Sequence, residues 1–426
     1  MKTLLLLCQL LAPAVVASAQ TPINIDLPGA FARARANSQQ YLSVVENIQI
    51  AGEDIKQSRA ALLPKTTYNN QFLYTQGNLT ESGRFIGANG VHEYVSLGVV
   101  EETLSQTTRL QYRQAIIGEV VAKAREEVAR RGLTTVVIQN YYALVAAQRR
   151  LANATQSLDE AKSFLESTRK LESNGEVAHL AVMQAERQPL ARQREVENAN
   201  LEIERAQIEL AVLIFPNYNT AFTVTDDLES MAPLMDLSEV SSRVTATSPD
   251  LSAAKNVLQQ QTLGISIAKS DYIPTMTIQY AFGIDANQFA LHTDGRPNLG
   301  NSVVATLNIP IFNWGITKSR IRQAETRQKQ AALELSRTEK DLSAGMQLLY
   351  REAQLARSQM NSLKASVDLA TETERLTRLA YAAGEVSVLE VLEAQRTLTE
   401  SREAYDQGLA RYQVAWANIQ VMTGAF

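Results

Sequence analysis

The sequence predicts a mainly helical fold with a smaller strand contribution, in which a helix–β-hairpin–long helix–helix module is written twice. Three observations predict it. Segments recur at a spacing of about 210 residues, apolar residues recur every seventh position over very long stretches, and four short alternating segments flank polar Gly- and Asn-rich loops.

The repeat is set by placing Pro64 on Pro274. Without a gap, Ala36-Asn37-Ser38-Gln39-Gln40-Tyr41 falls on Ala246-Thr247-Ser248-Pro249-Asp250-Leu251, and Ile55 falls on Ile265. One residue of drift then puts Arg113-Gln114-Ala115 on Arg322-Gln323-Ala324 and Gly175-Glu176-Val177 on Gly384-Glu385-Val386. Ala185 and Arg187 likewise meet Ala394 and Arg396. Such a period is far too long for a solenoid. It reads as a duplicated module, with repeat 1 over 20–216 and repeat 2 over 237–426. Between them, 217–236 carries Asn217, Asn219 and Pro233, as a linker should.

Each module opens with a helical stretch, 30–62 and then 240–272, ended by Pro64 or Pro274 because proline and its predecessor disfavour a continuing helix. Strands are expected at 66–74, 91–100, 275–282 and 302–311, with polar loops at 75–90 and 283–301. Very long helices follow at 104–173 and 315–382. Gly turns at Asn174-Gly175 and Ala383-Gly384 lead into final helices at 177–214 and 386–422.

The helices carry seven-residue stripes: Val137, Leu144, Leu151, Leu158 and Leu165; Leu335, Leu342, Leu349, Ala356 and Leu363. The final helices add Val182, Pro189, Val196, Ile203 and Leu210, and Val391, Leu398, Tyr405, Tyr412 and Ile419. That period implies left-handed supercoiling against partner helices. Pro189 should kink or loosen its helix. A helix of about 70 residues is about 105 Å long, too long for a globular bundle. The first and last helices of a module together match the long one, so an elongated coiled-coil column with the Gly turn as its tip is expected.

The first residues bear on compartment. Lys2, the apolar run from Leu4 to Leu11, and Ala17-Ser18-Ala19 before Gln20 read as a secretory signal over 1–19, too short to span a bilayer. The rival is a lipoprotein acylated at Cys8, but Leu7 stands where a small residue is wanted. Cleavage removes the only cysteine and shifts the net charge from −4 to −5, a balance that argues against nucleic acid. No other stretch is long and apolar enough for a membrane-spanning helix.

The expected strands have the length a tilted strand needs to cross a bilayer. Tyr68, Tyr74, Tyr94, Tyr280, Phe282 and Trp314 could supply interfacial aromatics, while Glu93 must sit near a rim. Four strands leave two open edges, which lipid does not tolerate, and the smallest membrane barrel has about eight strands. If these strands span lipid, the protein must oligomerise. The other reading is a pair of hairpins packed on helices outside the membrane.

This order of parts resembles the TolC-like outer-membrane efflux protein (outer membrane factor) family over nearly the whole mature chain. Local matches are Ser248-Pro249-Asp250-Leu251, Asn308-Ile309-Pro310-Ile311-Phe312-Asn313-Trp314-Gly315 and the stretch from Tyr381 to Arg396, which is similar to the family's periplasmic-tip motif. The first half is more diverged, since Asn37-Ser38-Gln39 lacks the usual Asn-Pro pair. The resemblance implies a homotrimer sharing a 12-strand barrel in the outer membrane and a long α-helical coiled-coil tunnel through the periplasm. It implies a mixed belt around the tunnel, built from Phe222-Thr223-Val224 with the chain ends. Its partners would be a periplasmic adaptor (membrane fusion) protein, an inner-membrane pump and outer-membrane lipid. The duct would passively conduct drugs or other small solutes. The alternatives are an exit duct of type I protein secretion and, from another class, a non-conducting structural coiled-coil envelope protein.

Glu390 and Glu393 are the sharpest candidates. Three residues apart after the Gly384 turn, they share a helix face, and three-fold symmetry would gather six carboxylates into a cation-favouring ring. The family's aperture acids match these positions. The other reading is a solvated helix face with Glu393 paired to Arg396. In the first module the counterparts are Ala181 and Gln184, so only one hairpin is acidic. The resemblance aligns Tyr381 with a tip tyrosine that holds the closed state by hydrogen bonding. Val386 replaces a basic residue of some members, and Ala181 an acid, so any resting lock must differ or be weaker. Gly175 and Gly384 permit left-handed turns. Glu176, Val177, Leu180, Glu385, Val386 and Leu389 flank them and are candidates for adaptor contact or simple tip packing. His92, His179 and His292 are scattered without metal-ligand spacing, and neither phosphate loop nor nucleophile motif occurs, so no enzyme, cofactor or metal is expected.

Overall fold

The computed structural model describes residues 23–74, 92–286 and 289–426. The expected signal at 1–19 with Cys8, the loop at 75–90, Val91, and Asn287-Gln288 of the second loop lie outside the described residues. In chain order the elements are β1 (Ile23–Ile25), α1 (Leu27–Asn37), α2 (Gln39–Ala60), β2 (Lys65–Tyr74), β3 (His92–Leu104), α3 (Gln106–Ser173), α4 (His179–Ile214), β4 (Phe222–Val224), α5 (Leu237–Thr247), α6 (Pro249–Ser270), β5 (Thr275–Ala286), β6 (His292–Thr293), β7 (Arg296–Pro297), β8 (Leu299–Asn308), α7 (Ile316–Ala382) and α8 (Val388–Thr423). They form two compact units, one from the chain up to Ser38, 136–232 and 356–414, the other from 39–135, 233–355 and 415–426.

In the first unit β1 and β4 pair in parallel, Ile23 opposite Phe222. Asp26 caps α1 by accepting from Gly29 N at 2.9 Å, with Pro28 in the first turn where its missing N–H costs nothing. Leu27, Ala30, Phe31 and Ala34 form the buried face of α1, and Asn37 Nδ2 donates to Ile214 O at 2.9 Å, closing the end of α4. On α3, Val137, Ile138, Tyr141, Leu144 and Val145 are fully buried. The segment after β4 is strapped down by polar side chains. Arg149 binds Asp226 at 2.6 Å and Asp406 at 3.1 Å, Gln413 Nε2 donates to Leu228 O and Ser230 O, and Tyr412 OH donates to Ala232 O. Burial disfavours a charged Arg149, but the two aspartates outweigh it and hold the guanidinium charged.

In the second unit, Val240 and Val244 of α5 pack on Met346 and Ala353 of α7 and on Ala415 and Ile419 of α8. Arg131 ties three pieces together, bonding Glu127 at 2.9 Å, Thr247 O at 3.0 Å and Met422 O at 3.1 Å. This unit also holds a four-stranded antiparallel sheet in the order β2-β3-β5-β8. One face presents Tyr68, Phe72, Tyr280, Phe282, Val303 and Leu307, each at least two-fifths exposed. The other presents Thr67, Asn69 and Gln71 of β2, Thr277 and Gln279 of β5, and Val304 and Thr306 of β8, with Val95, Leu97 and Val99 of β3 between them. Gly283 is where β5 comes closest to β3: at φ 153° a Cβ there would meet Ser96 O at 2.0 Å.

Four expectations need correction. Each opening helix is two helices, broken at Ser38 and Ser248, whose backbones are extended. At the second break Ser248 caps α6 through Leu251 N at 3.3 Å and Pro249 starts it, which ends α5. β3 and β5 run about four residues past their expected ends, because each has a partner strand over that length. β8 starts and stops about three residues early, since its partner β5 begins at Thr275, opposite Asn308. The stretch 283–301 is not all loop, as β6 and β7 form a small hairpin within it. Pro189 lies inside α4, which continues through it as one element.

Candidate functional site

The two Gly turns meet in one apolar cluster of the first unit. Phe164, Ala185, Tyr381, Val388 and Val391 are buried, and Leu171, Val177, Ala181 and Val386 pack against them. The turns themselves are alike. Gly175 and Gly384 have φ of 78° and 75°. Gly175 N bonds Glu172 O and Glu176 N bonds Leu171 O, while Gly384 N bonds Tyr381 O and Glu385 N bonds Ala380 O. This double bond pattern satisfies the last carbonyls of α3 and α7 and needs a left-handed residue at the glycine position.

Tyr381 is a core residue here. Its ring packs on Phe164 with centroids 5.3 Å apart, and its hydroxyl makes no hydrogen bond within the chain. Val177 and Val386 are half-buried in the same packing, whereas Leu180 and Leu389 are 64% and 59% exposed. Glu385 is exposed, and Glu176 accepts from Asn174 Nδ2 at 3.1 Å.

Glu390 and Glu393 are both exposed on α8 and each has a local partner. Glu390 Oε1 accepts from Ser387 N at 3.2 Å and from Ser387 Oγ at 3.0 Å, folding back over the helix start. Glu393 is bonded by Arg396 at 2.8 and 3.1 Å, and this holds its carboxyl below the usual range. Arg396 also reaches Glu400 at 3.3 Å. Both acids border an open groove of about 830 Å³ whose opposite wall is Leu369, Thr373 and Leu376 of α7. The structure therefore brings Glu390 and Glu393 to one groove, while Tyr381 lies in the core beneath the turns.

Sequence reasoning missed a buried polar layer. Glu374 is 8% exposed, its Oε1 makes no hydrogen bond, and Arg378 stands 3.6 Å away. Gln395 is buried beside it, and Glu160 pairs with Arg402 at 3.3 Å. Burial raises the Glu374 pKa, and nearby Arg378 and Arg402 only partly offset that. The signal was present: Met360, Val367, Glu374 and Tyr381 are seven apart, so the seam continues through a glutamate. No group of His, Cys, Asp and Glu among the described residues is arranged to hold a metal.

The sequence pattern of the family described as outer membrane efflux protein matches residues 240–425. The alkaline protease secretion protein AprF of Pseudomonas aeruginosa is 22% identical over 397 residues, covering 91% of this chain and 82% of AprF. The cobalt-zinc-cadmium resistance protein CzcC of Cupriavidus metallidurans is 25% identical over 289 residues, covering 67% of this chain and 66% of CzcC, just under two thirds of that protein. The crystal structure of the Campylobacter jejuni CmeC outer membrane channel shares the fold, with a TM-score of 0.81 at 16% identity, covering 93% of this chain and 85% of that one. The doubled order of elements, the paired Gly turns, the four-stranded sheet and these similarities agree: the chain has the fold of the outer membrane channels it resembles, and its residues 240–425 match the outer membrane efflux protein family.

Proposed function

We propose that this chain is one subunit of a homotrimeric exit channel of a tripartite efflux pump. Seated in the outer membrane and reaching into the periplasm, it passively conducts drugs or other small solutes received from an inner-membrane pump and a periplasmic adaptor. It catalyses no reaction. The observation that carries the reading is a sheet whose edge strands, β2 and β8, each pair on one side only among the described residues and whose aromatic face is exposed. In hydrocarbon each unpaired backbone group costs several kcal/mol, so such a sheet is stable there only when closed by copies of itself. Three copies of four strands give a 12-stranded barrel.

In this reading 1–19 is a signal peptide, 20–216 and 237–426 are the two repeats, and 217–236 is the belt segment. Glu390 and Glu393 of three copies face the narrowest point. Gly175 and Gly384 shape the tips, Glu176, Val177, Leu180, Glu385, Val386 and Leu389 meet the adaptor, and Tyr381 supports the aperture from within the packing. The exposed Leu180 and Leu389 suit that contact best. A second reading, the exit duct of type I protein secretion, is favoured by the extent of the match to AprF, named for protease secretion. CzcC is named for resistance to metal cations, which favours the solute reading.

Planar-bilayer recording on purified trimers tests the channel. Step-like, cation-selective currents are expected. Their persistent absence in correctly assembled trimers would leave the non-conducting envelope protein as the better account.

A further inference from the structure

We infer the register in which β8 of one copy pairs with β2 of the next: Ile311 opposite Thr66, Ile309 opposite Tyr68, and so on to Val303 opposite Tyr74. The inference rests on the oligomeric reading above and goes beyond it, since edge pairing alone leaves the alignment of the strands open.

The sheet carries its own internal repeat. β2 pairs with β3 with Lys65 opposite Glu101, and β5 pairs with β8 with Thr275 opposite Asn308. The two hairpins therefore correspond with Lys65 on Thr275 and Glu101 on Asn308. They are joined within the chain by β3 and β5, where Leu104 lies opposite Met276 and Tyr94 opposite Ala286. In the correspondence, Leu104 becomes Ile311 and Met276 becomes Thr66. A barrel that repeats one junction all the way round places Ile311 opposite Thr66 of the neighbouring copy.

Two features of the chain agree with this register. The first is parity. The exposed aromatic face contains Tyr68 and Phe72 of β2 and Val303 and Leu307 of β8. The inferred pairs set Ile309 against Tyr68, Leu307 against Asn70 and Ala305 against Phe72, so the face continues unbroken across the junction. A slip of one residue would turn that face inward along the whole strand.

The second is the end of β8. β3 extends through Glu102, Thr103 and Leu104, which pair with β5 and lie beyond the start of β2. Ile309, Pro310 and Ile311 are their counterparts and run past the last residue paired with β5. Ile309 and Ile311 are 55% and 93% exposed in the single chain, and a second copy lying alongside would cover them. Pro310 has no N–H, and successive residues of a strand direct their backbone groups to opposite neighbours. Ile309 and Ile311 then carry the hydrogen bonds to the second copy, while Pro310 faces the side where β5 has already ended. Alternate pairs, Asn308 with Asn69 and Thr306 with Gln71, are the closely spaced ones without mutual hydrogen bonds.

Disulfide trapping of the full chain in membranes, in a Cys8→Ser background, tests this. Thr306→Cys with Gln71→Cys, and separately Asn308→Cys with Asn69→Cys, should give covalently linked oligomers on a non-reducing gel. Within one chain β2 and β8 are separated by β3 and β5, so these links form only between copies. The same-face pairs displaced by two residues, Thr306→Cys with Asn69→Cys and Asn308→Cys with Gln71→Cys, should link at least tenfold less. Equal or greater linkage of the displaced pairs overturns the register while leaving edge pairing intact. Assembled oligomers without linkage in any pair overturn the pairing of these edges. A monomer by light scattering, with no linkage, overturns the oligomeric reading itself.

Discussion

Two glutamates on neighbouring helices show how position decides the work of a carboxylate. Glu393 is exposed and bonded to Arg396, so its pKa falls, whereas Glu374 sits in the helix seam and burial raises its pKa. The folded state therefore holds the Glu374 proton more tightly than the unfolded chain does. Its contribution to stability grows as pH falls toward the ordinary carboxylate range and is lost as pH rises through the raised value. Glu374→Gln should stabilise the tip at neutral pH by on the order of 1 kcal/mol and flatten the acid-side slope. Hydrogen exchange of 364–400 against pH checks it; an unchanged slope would show that another group sets it. Glu390 and Glu393 make the opposite prediction, about conduction rather than folding. Replacing both with alanine should reduce the preference for cations over anions in single-channel reversal potentials. Unchanged ion preference would leave them as a helix cap and a surface ion pair.

At the level of elements, serine breaks and glycine turns decide where helices stop. Ser248→Ala removes the acceptor for Leu251 N and should cost about 1 kcal/mol in thermal unfolding, with α5 and α6 otherwise kept apart by Pro249. Arg131→Ala should cost more, about 2–3 kcal/mol, because it leaves the carbonyls of Met422 and Thr247 without their charged donor and frees the end of α8 to proteolysis. Most of this architecture was legible in the sequence. The seven-residue stripes and Gly turns placed α3, α4, α7 and α8 within about two residues, since period and turn chemistry are local. What was not legible depended on partners. The far ends of β3 and β5 are strand because each finds the other, and residues 309–311 have no strand partner among the described residues because β5 begins opposite Asn308. The breaks at Ser38 and Ser248 were hidden by apolar spacing that continues across them. At the tip, the pattern located both acids, yet their partners Ser387 and Arg396 became decisive only once rotamers were fixed. The polar layer at Glu374 is not legible locally because Glu374 stands in the charged run Glu372-Thr373-Glu374-Arg375, which reads as a solvated face.

For the molecule as a whole, the proposed barrel would give the two faces of the sheet two different solvents, and adjacent residues of β8 would separate them. Val303 is 71% exposed and stands opposite Tyr280 on the aromatic face; Val304 is 49% exposed and stands opposite Gln279 on the other. Both valines are solvent-accessible in the single chain, so exposure alone does not distinguish them. A barrel does. Lysine on the lipid side near mid-membrane costs about 2–4 kcal/mol, whereas on the lumen side it stays hydrated and only changes the local field. Val303→Lys should therefore reduce heat-resistant oligomer in the outer-membrane fraction several-fold. Val304→Lys should assemble normally and lower single-channel cation conductance, because three added positive charges would line the lumen. Equal loss of assembly in both variants would mean that neither face is lumenal. Equal tolerance of both would mean that the aromatic face does not meet lipid, and the hairpins would then be packing surfaces rather than a barrel wall.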